Sequence, residues 1–284
     1  MPEIDAKVAR RRFARAAATY AAASRLEAEA GSRMLERLDY VKLAPRRILE
    51  AGCGPGRESA ALLARYPGAV LVELDFALPM LRRERSWFAR LRGRTGAVQL
   101  CGDFARLPLA AGSVDLVWSN MALHWAADPP AVLRELARVL AEDGLVLFST
   151  LGPDTLAELR AAAGSARVHR FADMHDVGDA LVAAGFAAPV MDTERLTVTY
   201  PGGEALLADL RAGGQTLAAP VRSRGLAGRR FRGALGAALQ ACMRDGRLPV
   251  TYELVFGHAW KGAPRRRADG RSIVQFARRP HQPD

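Results

Sequence analysis

The chain predicts an α/β fold built on a mostly parallel sheet, and three observations predict it. Between Arg47 and Ser149, short apolar runs alternate with segments of helical period. The first apolar run ends in a glycine-rich turn, Gly52-Cys53-Gly54-Pro55-Gly56. The 284 residues are 50% apolar and 25% charged, which suits a large folded core rather than a disordered or disulfide-stapled chain. Strands alternating with helices at this rhythm imply βαβ units, hence parallel strands covered by helices on both faces.

The elements follow in order. Arg47-Ile48-Leu49-Glu50-Ala51 is the first strand, and Glu58 to Tyr66 a helix stopped by Pro67-Gly68. Ala69 to Leu74 predicts a second strand, then Pro79 to Leu91 a helix with proline near its start. Val98 to Cys101 and Ser113 to Trp118 predict the third and fourth strands. Val132, Leu133, Leu136, Val139 and Leu140 form an apolar stripe at helical period, before a fifth strand from Gly144 to Ser149. Beyond Thr150 the pattern loosens. Helices are expected from Asp154 to Ala163 and from Asp176 to Ala184, the second stopped by Gly185. Thr193 to Tyr200 and Tyr252 to Trp260 predict strands, with helical pieces at Ala205–Leu210 and Phe231–Met243 between them. Residues 211–230, rich in Gly and Arg, read as a mobile loop or cap, and Ala6 to Leu38 reads as helical. The expected division is a helical cap over 1–45, a core over 46–200, a helical cap insertion over 201–250, a final core strand over 251–261 and a basic tail over 262–284.

Composition removes several function classes. Cys53, Cys101 and Cys242 lie far apart with no C-x-x-C pair, which argues against zinc and disulfides and suits a reducing cytoplasm. No metal is expected. No apolar run reaches the roughly 20 residues of a membrane helix, and the N-terminus has no signal-peptide apolar stretch. The net charge is +11, and Val221 to Asp284 alone hold 14 Arg and Lys against four acids. Such a basic third attracts an acidic partner, nucleic acid or acidic protein, unless it is only a solvated face. No RNA-binding signature accompanies it, so nucleic acid is the lesser expectation.

The glycine turn carries the chemistry. Glu50 ends a strand two residues before Gly52, and Gly52, Gly54 and Gly56 alternate just ahead of a helix. Glycines there permit positive φ and close approach of a ligand to the backbone. The dinucleotide fingerprint would need glycine at position 57, where Arg57 stands. The G-x-G-x-G spacing suits S-adenosylmethionine instead, a ligand with no pyrophosphate to cradle. Asp75 ends the second strand, placed to accept both ribose hydroxyls. Asp103 and Phe104 follow the third strand, for the adenine amino group and ring, and Asn120 ends the fourth, toward the methyl donor. Any one of these has a plainer role as a turn or helix cap, whereas four at strand ends point to one ligand edge.

These residues resemble a class I methyltransferase. Further segments are similar to malonyl-acyl-carrier-protein O-methyltransferases, which open biotin synthesis: Phe13-Ala14-Arg15-Ala16-Ala17-Ala18-Thr19-Tyr20, Leu107-Pro108-Leu109, and Trp118 through Trp125. The likeness continues through Phe148 to Leu156, Arg170 to Asp176, Met191 to Tyr200 and Thr251 to Trp260. It departs at Glu50, where many relatives have Asp, at Pro55, where Thr is common, and at Phe76-Ala77 after Asp75. The resemblance implies a Rossmann-like class I methyltransferase fold, with a mostly parallel seven-stranded sheet, helices on both faces and a helical cap. It also implies methyl transfer from S-adenosylmethionine to the free carboxylate of malonyl-acyl-carrier protein, whose acidic carrier would dock on the basic C-terminal third.

A carboxylate acceptor is already ionised at neutral pH and needs alignment and desolvation rather than a strong base. Its pocket needs a cation or hydrogen-bond donors, for which Tyr20, His124, Trp125, Arg170 and His175 are the candidates. Plainer roles stay open: core packing for Tyr20, packing for His124-Trp125, an ion pair with Asp173 for Arg170. Other functions compete: a partner-binding assembly factor on the same fold, a nucleic-acid methyltransferase, and a methyltransferase for another small carboxylate. The second is disfavoured because Ser119-Asn120-Met121-Ala122 is not an Asn/Asp-Pro-Pro-aromatic run.

Overall fold

The computed structural model describes residues 4–82, 97–219 and 228–262. Seven strands form one sheet in the order β3-β2-β1-β4-β5-β7-β6: β1 (Arg47–Ala51), β2 (Val70–Asp75), β3 (Ala97–Cys101), β4 (Val114–Ser119), β5 (Leu140–Leu151), β6 (Phe186–Tyr200) and β7 (Leu248–Lys261). The first five pair in parallel, and β7 runs antiparallel between β5 and β6. Strand order reverses between β1 and β4, so a crevice opens beyond their C-terminal ends.

Alternation along the strands builds two cores. Ile48, Leu116, Trp118, Leu145 and Leu147 face one side, and Leu49, Val117, Val146 and Phe148 face the other. The second face is covered by α6 (Pro129–Val139) and α8 (Met174–Ala183), through Val132, Leu133, Leu136, Val177 and Leu181. The first is covered by Ala30 and Met34 of α3 (Arg25–Arg37) and by Leu62 of α4 (Ser59–Arg65). Leu159 of α7 (Ala157–Ala163), Leu206 and Leu210 of α9 (Gly203–Ala212) and Leu239 of α10 (Arg229–Ala241) complete that layer. β1 is buried on both faces from Ile48 to Ala51, while edge strand β6 alternates between covered and exposed positions.

Local chemistry explains where the observed elements depart from the expected ones. The predicted helix over Ala6–Leu38 is three helices, α1 (Ala6–Ala16), α2 (Tyr20–Ala23) and α3, followed by a short 3-10 turn. α7 starts at Ala157 rather than Asp154, because Leu156 takes a left-handed φ of 58° and the Asp154 N–H donates to the Glu253 carboxylate. α8 starts earlier than Asp176, because Asp173 caps it by accepting from the His175 N–H. Leu140 ends the helical stripe and opens β5, whose pairing with β4 shifts register before Leu145. β6 continues back to Phe186 across an irregularity at Ala187–Val190, where Ala-Ala-Pro masks the strand in the sequence. The helix expected from Pro79 appears as α5 (Leu78–Leu81), and residues 83–96 lie outside the described ones. Of the 211–230 segment, 213–219 carry neither helix nor strand, and 220–227 lie outside the described residues, as does the tail from 263. No described helix is long and apolar enough to cross a membrane.

The N-terminal helices are locked across the sheet. Arg33 pairs with Glu194 on β6, Arg37 reaches Asp192 at 2.7 Å and Glu194 at 2.6 Å, and its guanidinium lies 3.9 Å from the Phe256 ring centre. Single partly exposed pairs contribute about 0.2–1 kcal/mol, but this cluster fixes where the buried face of α3 sits. That face carries Glu27 and Gly31 to the ends of β1 and β4.

Candidate active site

The turn after β1 is tied to β2, since the Gly52 and Cys53 N–H groups both donate to the Leu74 carbonyl at 2.8 and 3.0 Å. Gly52, Gly54 and Gly56 have φ of 76°, 56° and 73°, a region costly for any residue with a Cβ. A Cβ on Gly52 would also run into that of Ala122. Asp75, at the end of β2, accepts from the Gly54 N–H at 2.9 Å and the Ala77 N–H at 2.7 Å. Burial pushes its carboxyl up to about 6, against the pull of those two donors.

Around this turn lies a cleft of two chambers. The larger holds about 500 Å³ of empty space including its open mouth, walled by Phe13, Phe76, Phe104 and Trp125 with Asp75 among them. The smaller, about 320 Å³, gathers the carboxylates Glu27, Glu50 and Glu58 with Arg57. Tyr20, Gly52 and Asn120 line both and form the neck between them. Phe13 of α1 closes the larger chamber from above, its ring 4.9 Å from Trp125 edge to face and 5.9 Å from Phe76.

The acidic chamber is held by neutral donors more than by cations. Ser59 donates to Glu50 at 2.7 Å, and Gln215 donates to Glu27. The Asn120 amide donates to the Glu27 carbonyl at 2.8 Å and to Glu58 at 3.3 Å, while its oxygen accepts from Ser149 at 2.7 Å. Burial raises Glu58 above the usual carboxylate range and pushes Glu27 up to about 7. Burial first, then Glu27, Asp75 and Glu58, raise the Tyr20 phenol well above its ordinary value, so it stays a donor. Gly31 makes room for this arrangement: a Cβ there would strike the Glu58 carboxylate and lie 2.9 Å from the Asn120 amide nitrogen.

The residues expected from sequence divide clearly. Glu50, Gly52, Gly54, Asp75, Phe104, Asn120, Tyr20 and Trp125 meet at the cleft. Gly56 closes the turn through its N–H to the Cys53 carbonyl at 2.9 Å. Asp103 is exposed beside Phe104 and accepts from the Ala105 N–H, which places it outside the cleft wall. His124 sits behind Trp125 in a separate hollow, its ring nitrogen 3.3 Å from the Thr150 hydroxyl, and burial lowers it to about 3. A neutral imidazole supplies no positive charge there. Arg170 and His175 are exposed and outside the walls of both chambers. The reason is local: His169 and Phe171 turn their rings inward, onto Trp125 and His124, so Arg170 between them points out. α8 buries Val177 and Leu181, and His175 lies about 200° around the helix from Val177.

Sequence reasoning missed Glu27 and Glu58. A signal for Glu27 existed, since it shares the helical stripe of Ala30, Gly31 and Met34, and an acid on an apolar face demands explanation. Glu58 had none, because a carboxylate at a helix start is ordinary.

Residues 49–148 match a methyltransferase domain model. The chain is 51% identical to a malonyl-[acyl-carrier protein] O-methyltransferase of Methylovorus sp. (strain MP688), over 96% of this chain and 95% of that one. The chain belongs to the malonyl-[acyl-carrier protein] O-methyltransferase family. The family's enzyme from Gallionella capsiferriformans (strain ES-2) is 48% identical over 96% of both chains. Among solved structures, YcgJ from Bacillus subtilis shares the fold at a TM-score of 0.59 and 18% identity, covering 83% of this chain and 99% of that one. A phosphoethanolamine N-methyltransferase 2 from Haemonchus contortus, in complex with S-adenosylhomocysteine, shares it at 0.52 and 18%, covering 82% and 52%. The seven-stranded class I methyltransferase architecture expected from sequence is the one found.

Two outcomes test this geometry in the ligand-free family member. Gly31→Ala should cost about 1–3 kcal/mol by chemical denaturation, because α3 must move off Glu58 and Asn120; wild-type stability would show that no close approach exists. Glu27 holds its proton more tightly folded than unfolded, so stability should fall as pH rises from 4.5 to about 7 and stay lower above. The fall attributable to it is on the order of 3 kcal/mol, and Glu27→Gln should flatten it; an unchanged pH profile in that variant would remove Glu27 as its source.

Proposed function

We propose that this chain transfers a methyl group from S-adenosylmethionine to the free carboxylate of a malonyl-acyl-carrier protein, giving the neutral methyl ester that primes biotin synthesis. The observation that carries the reading is the two-chamber cleft, acidic at one end and aromatic with a buried carboxylate at the other. S-adenosylmethionine has the matching halves, a cationic amino-acid end and an adenosine end. Glu27, Glu50 and Glu58 receive the ammonium, and an approaching cation stabilises their ionised forms. Asp75 accepts the ribose hydroxyls, and Phe76 and Phe104 flank the adenine ring. Gly52, Gly54 and Gly56 leave the space a Cβ would fill.

When bound, S-adenosylmethionine supplies an electrophilic methyl group on a positively charged sulfur. The chain's own work is to hold, align and dry the acceptor. A malonyl carboxylate has a reference pKa near 4, so no residue need remove a proton. Tyr20, kept protonated at the neck, donates to the acceptor, and Asn120 holds the floor of that neck in place. Phe13, Phe76 and Trp125 exclude water, which strengthens each electrostatic contact. Alignment of this kind can supply several kcal/mol of the barrier.

The carrier docks on the basic C-terminal third in this reading. Arg229, Arg230 and Arg232 at the start of α10 are exposed on one helix end, a face complementary to an acidic carrier. The three cysteines are free, in keeping with a cytoplasmic setting.

Methyl transfer assayed in parallel with malonyl-, succinyl- and glutaryl-loaded carrier protein should favour the malonyl form, and Asp75→Ala should weaken S-adenosylmethionine binding at least tenfold in calorimetry. No transfer to any of the three would reject the reaction, and unchanged affinity would reject the role of Asp75. Reversing Arg229, Arg230 and Arg232 to Glu should raise KM for malonyl-carrier protein and spare malonyl-CoA. Equal effects on both substrates would reject carrier docking on that face.

A further inference from the structure

The amino-acid end of S-adenosylmethionine carries a carboxylate as well as an ammonium, and the acids of the cleft suit only the ammonium. Glu27, Glu50 and Glu58 in the smaller chamber, with Asp75 in the larger, repel an anion brought among them. Glycine-rich turns often hold anions on free backbone N–H groups. In this turn those groups are already committed. Gly52 and Cys53 donate to the Leu74 carbonyl, Gly54 donates to Asp75, Gly56 donates to the Cys53 carbonyl, and Pro55 has no N–H. The Asn120 amide is committed too, to the Glu27 carbonyl and the Glu58 carboxylate.

One cation stands beside these acids. Among the described residues lining either chamber, Arg57 alone carries a permanent positive charge. It follows the last glycine of the turn directly and is exposed at the chamber's rim. Its Nη2 donates to the Ala21 carbonyl at 3.2 Å and to the hydroxyl of buried Ser24 at 2.6 Å, which anchors the guanidinium against α2 and the start of α3. Nε and Nη1 have no hydrogen-bond partner among the described residues. The Arg57 charge opposes the burial that raises Glu27 and Glu58, so it acts on both. Glu27 offers the opposite charge. Its Oε1 accepts from Gln215, while the buried Oε2 has no hydrogen-bond partner among the described residues.

We propose that Arg57 and Glu27 together bind the amino-acid end of S-adenosylmethionine as a zwitterion, Arg57 pairing with its carboxylate and Glu27 Oε2 with its ammonium. The inference rests on the cofactor reading above and adds the partner that the ligand's anion needs. Arg57 stands where a dinucleotide fold requires glycine for close helix packing, and here that position supplies the missing cation. A ligand that keeps the ammonium but lacks the carboxylate loses the charge-assisted pair and brings its own charge near an uncompensated arginine. The site therefore selects an α-amino acid over a plain amine.

The test is calorimetry on the full chain with S-adenosylmethionine and with its decarboxylated analogue, which keeps the adenosine, sulfonium and ammonium. Wild type should bind S-adenosylmethionine at least tenfold more tightly. Arg57→Gln should weaken S-adenosylmethionine tenfold or more and leave the analogue unchanged or tighter, because the cation near its ammonium is gone. Arg57→Lys, which keeps the charge, should retain part of the preference. Glu27→Gln should weaken both ligands and spare methylthioadenosine, which has neither charged group of the amino-acid end. Equal wild-type affinity for the two charged ligands, or equal losses of both in Arg57→Gln, overturns the Arg57 pairing and leaves the cofactor reading intact. An equal loss of methylthioadenosine in Glu27→Gln overturns the Glu27 pairing in the same way. Absence of binding by all three ligands instead overturns the cofactor reading itself, and no outcome depends on which acceptor is methylated.

Discussion

Three buried carboxylates share one small chamber, and that is the constraint around which this protein is arranged. Glu27, Glu50 and Glu58 come from three different elements, and burying ionised groups without compensation is costly. The surrounding structure offsets part of the cost with Ser59, Gln215, Asn120 and the nearby Arg57. The remainder raises Glu27 and Glu58 above their ordinary range. A site in that condition favours a cation, and the glycine turn beside it supplies the space for one to be carried on a larger ligand.

The sheet and the N-terminal helices divide the work. The sheet brings the ends of β1, β2 and β4 to one edge, as any fold of this class does. Closure of that edge belongs to α1, α2 and α3, which add Phe13, Tyr20 and Glu27 to it. These helices are fixed at distant points, by Arg33 and Arg37 on β6, by the Thr19 hydroxyl donating to the Ala212 carbonyl at 2.7 Å, and by Asp5 on Ala218. Removing water around a charged acceptor requires walls on all sides, and here Phe13, Tyr20 and Glu27 of those walls come from sequence that precedes the first strand.

A separate hollow behind the cleft lies between α1, α7 and α9. α9, the segment after it and α10 carry Arg211, Gln215 and Phe231, and each touches or lines that second hollow or its mouth. Methyltransferases sharing only the sheet differ in what they attach to it, and specificity resides in those attachments. The cap elements of this chain line that hollow with Arg12, Arg167 and Arg211 among leucines.

Sequence by itself determined the alternating strands and helices, the glycine turn after β1 and the carboxylate ending β2, because periodicity and turn chemistry are properties of near neighbours. Gly52, Asp75, Phe104 and Asn120 were legible for that reason. Tertiary structure alone decided which side chains face the cleft from segments far apart in the chain. Arg170 points outward because the rings on either side of it point in, and Glu27 points inward because Gly31 lets α3 come close to Glu58 and Asn120. Those outcomes depend on how one element seats against another, a contact between residues distant in sequence that no local pattern encodes.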